Sequence, residues 1–199
     1  TEIENGVNKA GYKISPLVFF VERDYNKGMK DWIVSPMFSN GYATIQNRIG
    51  LLVETHMLKP YKERVFSTKS LLESVIEYAD KNSKKLKEAS QLSDKEIQLD
   101  YIVNGKEFPI KYELTEGTEK FNFLGYKKEK NYSIITGDSL TTYSNEKTSK
   151  IIPYYNKMKV VDSIKLPHAY IIPKEWSHLT DIMELHGIDW KIADKDSNV

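Results

Sequence analysis

The 199 residues contain no cysteine, which removes disulfides, thiolate metal sites and cysteine nucleophiles together. Charge of one sign is missing too: 29 basic residues stand against 28 acidic ones, a net of +1. Proteins that bind nucleic acid carry a basic excess or stripe, so no nucleic-acid partner is expected. The basic clusters Lys84-Lys85-Leu86-Lys87 and Lys127-Lys128 are interrupted by acids and read as solvated faces. No apolar run approaches the roughly 18 residues of a membrane span, and no membrane partner is expected. Histidine is scarce, with four residues at 56, 168, 178 and 186. None of them opens a His-x-x-Glu or His-Glu-x-x-His ligand pair. Glu175 and His178 are three apart, but no second copy of that spacing completes a di-metal site. Phosphate-binding glycine loops and Gly-x-Ser-x-Gly elbows are also missing.

What is present suffices for a folded protein: 40% of residues are hydrophobic and 12% aromatic, well above a disordered composition. The chain starts at Thr1 without a signal-peptide pattern, and processing or truncation is expected ahead of it. Residues 14–22 read as a buried strand and 24–47 as loop. The run Ile49 to Thr55 is the strongest strand signal, continuous and apolar as in a strand covered on both faces. After Pro60 a long helix is expected, with Leu71, Leu72, Val75, Ile76 and Ala79 at helical spacing. Ser67 or Ser70 would cap it, the latter with Glu73 in a capping box. Beyond Ser93 the period becomes two. Ile97, Leu99, Tyr101 and Val103, then Asn104-Gly105, then Phe108, Ile110, Tyr112 and Leu114 predict a β-hairpin. Further strands are expected near 119–127, 131–136, 150–155 and 158–164. A closing helix from Lys174 to Leu185 would follow Pro173 and end before Gly187.

These elements predict an α+β fold with a boundary near Ser93: residues 1–94 of α/β character, then 95–199 as a β-rich domain ending in a helix. In a largely parallel sheet, ligands bind at the C-terminal ends of strands. The run into Glu54 therefore puts a carboxylate where a general base would serve, and one kept partly from water is the better base. If the strand continues, His56 shares its face. The alternative is that Glu54 pairs with Arg48 or Lys59 and merely ends the strand.

The stretch Ser35-Pro36-Met37-Phe38-Ser39-Asn40-Gly41-Tyr42, with the following Asn47 to Val65 (NRIGLLVETHMLKPYKERV), resembles the end of the catalytic domain of zinc carboxypeptidases. The likeness is to a bacterial branch of the carboxypeptidase A-like family. Residues Ala169 to Ile188 (AYIIPKEWSHLTDIMELHGI) resemble the tail of that branch. The resemblance is strong over about 32–66, moderate over 165–190 and weak between. It implies that 1–94 is the C-terminal part of a mixed α/β catalytic domain and 95–199 an accessory domain. It implies peptide-bond hydrolysis on a peptide or protein substrate, with Glu54 as catalytic base. Tyr42 is the candidate for the tyrosine that closes over substrate, Arg48 for a carboxylate clamp or a structural arginine, and His56 for the cleft border. The family's zinc ligands precede its glutamate, and no histidine precedes Glu54 here. Either the ligands lie upstream of Thr1, which the start of the chain favours and which puts zinc in the full-length protein, or the chain is a degenerate member; in both cases no zinc is expected in this chain and no activity from it alone. Amidase or deacylase chemistry, known among relatives, is a third possibility. Export to the periplasm or outside the cell is expected by the same resemblance, and a half-domain with uncovered apolar surface would favour a homodimer. The competing function is a non-catalytic protein- or glycan-binding module, built on the tyrosines of the second half.

Overall fold

The computed structural model describes residues 1–193, and they form an α+β fold. The chain divides into two compact units, Thr1–Lys165 and Leu166–Val199. The expected boundary at residue 94 lies inside a helix.

In the first unit, α1 (Glu2–Lys9) opens with a capping box, the Glu4 amide donating to Thr1 Oγ1 at 3.1 Å. It packs on α3 (Tyr61–Lys81). The two helices meet through small residues, since a Cβ on Gly6 would lie 2.4 Å from Ser74 Oγ. Val7, Ser70 and Ser74 are buried there, and Ser74 Oγ satisfies itself on the Ser70 carbonyl at 2.8 Å. Helix α3 thus begins directly after Pro60, not at Ser67 or Ser70. Proline has no amide to lose at a helix start, and Ser70 is needed inside the helix pair. Asn82 then breaks the expected single helix, and α4 (Ser83–Ile97) follows.

Three other expectations fail, each for a readable reason. The strand expected over 14–22 shrinks to β1 (Phe19–Phe20), because a helical turn at Val21–Arg23 follows at once. Within the expected loop lies α2 (Ser39–Ile45). The hairpin at Asn104-Gly105 does not form: α4 runs on through a wide helical turn at Gln98–Val103. Its apolar residues alternate, but Ile97/Tyr101 and Leu99/Val103 are also four apart, which suits a helix equally well. Only the second half of that pattern is a strand, β3 (Glu107–Leu114), and its antiparallel partner is the distant β6 (Met158–Lys165).

The main sheet holds the core. β4 (Glu119–Tyr132) and β5 (Ser139–Tyr155) make a long antiparallel hairpin, which absorbs the expected 131–136 strand into its end and turn. β2 (Met29–Lys30) adds parallel to β5, and β1 pairs with β2. Met29 and Ile152 are the two large side chains wholly removed from solvent. Around them Phe20, Tyr25 and Phe123 form an aromatic cluster with centroids 5.3–6.4 Å apart. Burial and the nearby Asp31 carboxylate hold the Tyr154 phenol above its usual pKa.

The second unit carries a short turn at Lys174–Trp176 after Pro173, then α5 (Leu179–Leu185), with Gly187 at φ 68° beyond its end. The closing helix is therefore split, and His178 sits at the cap of α5 with its ring stacked on Trp176. Among the described residues no helix is long and apolar enough to cross a membrane.

Candidate functional site

The segment from Arg48 to His56 is anchored at its ends. Asn47, at φ 53°, ends α2 and turns the chain back, so that the Arg48 amide donates to the Ala43 carbonyl at 2.8 Å. Gly50 then presses on α2, where a Cβ would lie 2.8 Å from both Ala43 Cβ and Asn40 Cα. At the other end Leu58 donates its amide to His56 Nδ1 at 3.1 Å and Lys59 donates to the His56 carbonyl, closing a turn.

Between these anchors the chain is neither a strand nor buried, which corrects the expectation of a covered core strand. Residues 48–56 join no ladder, and Ile49 is 72% exposed and Val53 36%. The physical reason is local: a run apolar on both sides needs sheet neighbours on both edges, and no strand among the described residues lies beside it. Helix α3 has the same unfinished character. Tyr61, Val65, Leu72 and Ile76 line an open groove of about 510 Å³ that Thr55 borders.

Each candidate residue now has a position. Arg48 grips Asp94 of α4 with both guanidinium arms, at 3.0 and 3.1 Å, and Asn47 Nδ2 donates to the same carboxylate at 3.1 Å. The hydrogen bonds from Arg48 and Asn47 hold the Asp94 carboxyl below its usual pKa, and the pairing raises that of Arg48. The fork that could clamp a substrate carboxylate is thus filled by the protein's own. Burial pulls the Lys59 ammonium down, but the Tyr126 hydroxyl at 3.3 Å and Glu63 at 3.3 Å outweigh it and hold it above its usual range. Arg48 and Lys59 are the two cations that the sequence offers as partners for Glu54, and neither takes it. The Glu54 carboxylate is exposed, with no hydrogen bond or ion pair among the described residues. Tyr42 lies on α2, half out of solvent. No hydrogen bond joins Arg48, Glu54 and His56 to one another among the described residues.

Sequence reasoning missed Asp94, the partner that fixes the start of the segment. No motif marks it, and its role follows from α4 passing beside Asn47. A resident zinc does not fit what is present: among the described residues no three His, Asp or Glu converge into a ligand group. Compared with protein-family models, curated protein sequences and solved structures, the chain matches none of them.

Proposed function

We propose that this chain is the C-terminal portion of a carboxypeptidase-like peptide hydrolase in which Glu54 acts as general base. The observation that carries the reading is the state of that carboxylate. The cations that would neutralise it are occupied by Asp94, Glu63 and Tyr126, so Glu54 ends an apolar run with its acceptor oxygens unspent. The resemblance of residues 32–66 to the end of a carboxypeptidase catalytic domain supports the same role.

In the proposed reaction, Glu54 removes one proton from a water as the water oxygen bonds to the scissile carbonyl carbon. The C–N bond then breaks and that proton passes to the leaving amine, returning Glu54 to its starting state. Tyr42 closes over the substrate and His56 borders the cleft. Arg48 acts through Asp94 as a positioning residue for the segment. No step is assigned to zinc, because these residues do not form its site; in this reading zinc is held by polypeptide outside this chain. Export from the cytoplasm belongs to the same reading, and cell fractionation tests it.

The deciding experiment uses the protein expressed from its natural start codon and assayed on peptides with a free C-terminus. Glu54→Gln is expected to lower kcat by about 10² to 10⁴-fold, the usual contribution of a general base, with bound zinc and KM retained. Unchanged kcat in that variant, or a natural protein that neither binds zinc nor cleaves peptides, would leave the binding-module function in its place.

A further inference from the structure

Three Asn-Gly pairs occur in the sequence, at 5–6, 40–41 and 104–105, and the proposed hydrolase chemistry uses none of them. Such a pair carries a reaction of its own. The main-chain nitrogen of the glycine can attack the side-chain amide carbon of the asparagine, because glycine has no side chain to shield that nitrogen and adopts the turn this needs. In a folded chain the pair reacts only where the glycine nitrogen is unheld and the peptide joining the two residues has room to rotate. The fold closes two of the three sites. Asn5-Gly6 lies inside α1, and Gly6 presses on α3, where a Cβ would lie 2.4 Å from Ser74 Oγ. Rotation there would break the α1–α3 contact. Asn40-Gly41 lies in the first turn of α2, with the Asn40 carbonyl accepting from Thr44 Oγ1 at 2.9 Å. Gly41 is buried, and a Cβ on it would lie 2.2 Å from the Ser35 carbonyl oxygen.

Asn104-Gly105 is different. Both residues are exposed, in the bend between the wide turn at Gln98–Val103 and β3. Gly105 sits at φ 64°, with nothing within 4 Å of where a Cβ would be. The amides on either side are tied: that of Asn104 donates to the Leu99 carbonyl at 2.9 Å, and that of Lys106 to the Asp100 carbonyl at 3.0 Å. The Gly105 amide between them makes no hydrogen bond among the described residues. Asn104 has ψ −9°, so the joining peptide must rotate before nitrogen and carbon meet. That rotation opens the Lys106 closure, but it meets no packed group at Gly105.

We propose that Asn104 is a site of self-modification, deamidated by its own main chain while Asn5 and Asn40 are held intact. The Gly105 nitrogen gives up its proton and bonds to Asn104 Cγ. The bond from Cγ to Nδ2 breaks, and Nδ2 leaves as ammonia with that proton. Water then opens the cyclic imide: addition at Cγ leaves an aspartyl residue, and addition at the main-chain carbonyl an isoaspartyl one. Nothing is oxidised or reduced, and water is the only co-reactant. Either product puts a carboxylate at the C-terminal end of a helical turn, where the helix dipole disfavours negative charge. The isoaspartyl product also adds a methylene to the main chain inside the closure from Lys106 to Asp100. Conversion therefore loosens the 98–106 turn, whose remaining hold on β3 is the Tyr101 ring against Phe108 at 4.9 Å. None of this depends on Glu54.

The test is incubation of the full chain in mildly alkaline buffer, followed by proteolysis and mass spectrometry. The peptide holding Asn104 is expected to gain the mass difference between O and NH and to separate into two isomers. Its conversion should outpace that of the Asn5 and Asn40 peptides by about ten-fold or more, since those sites must first open locally. In urea the three rates should converge, which shows that the fold and not the neighbouring sequence makes the difference. Comparable rates in the folded chain, or an Asn104 that stays intact there while the unfolded chain reacts, overturns the proposal. Asn104→Asp should speed hydrogen exchange over residues 98–106 and leave the main sheet as it was. Unaltered exchange in that variant would overturn the loosening.

Discussion

Ile151 and Ile152 are adjacent on β5, yet their side chains meet opposite environments, which makes them a sensitive probe of the main sheet. Ile152 is 1% exposed and opposite Phe121, whereas Ile151 is 59% exposed and opposite Asn122. Truncation of either to alanine removes three carbons, worth about 2.4 kcal/mol if all were buried. At Ile152 the full term applies and the cavity adds to it, giving about 3–4 kcal/mol. At Ile151 only about two-fifths of the side chain is covered, so the loss is about 1 kcal/mol with no cavity. Urea unfolding followed by tyrosine and tryptophan fluorescence would read both variants against the parent chain. The expected result is a midpoint shift for Ile152→Ala roughly three times that for Ile151→Ala. Inverted shifts would refute the assigned register, because a slip of one residue exchanges the two faces of a strand. A large loss at both positions would mean that the Ile151 face is also covered in solution, as by a second copy of the chain.

The Arg48–Asp94 tie has a definite pH signature. The folded Asp94 carboxyl titrates below its usual 3.8, so its contribution is present above 3.8 and lost as pH falls through the lower folded value. Hydrogen exchange at residues 47–50 is expected to accelerate in that acid window, and Asp94→Asn should give the faster exchange already at neutral pH. No difference between Asp94→Asn and the parent would remove the anchor role. Gly6→Val would force a side chain onto Ser74 and should detach α1 from α3, seen as lost protection of residues 2–9 with the sheet intact; retained protection would refute the close helix contact. Metal analysis of this chain alone should find no stoichiometric zinc, and one tightly bound zinc per chain would overturn the proposed division of the site.

Legibility from sequence differed by element, and the differences have physical causes. The strand at 107–114 and the strands near 119–127, 150–155 and 158–164 were readable because alternation is a local property. Their pairing was not, since β3 finds β6 some fifty residues away, and a plausible Asn-Gly turn offered a nearer partner. Helix α2 was hidden by Asn40 and Gly41, which look like turn residues; Gly41 is there because it is buried. For the run into Glu54, the sequence suggested a covered core strand, and the structure shows an exposed segment outside any ladder. Continuous hydrophobicity shows that a segment wants to be covered. It does not say that the covering strands belong to the same stretch of chain.

That distinction bears directly on the proposed chemistry. A general base works only within about 2.6–3.2 Å of the proton it removes. Asn47, Gly50 and the Arg48–Asp94 pair fix the segment at one end, and the His56 turn fixes it at the other. Glu54 lies between these anchors, on backbone without ladder hydrogen bonds. Its direction would, under the proposed function, be set when neighbouring strands pair with residues 49–54 and the exposed stripe of α3 is covered. Under the proposed function, the same polypeptide that brings the rest of the site would also form those pairs. Assembly of the sheet and positioning of the base would then be one event, and the chain alone would be inactive for want of geometry as well as of metal.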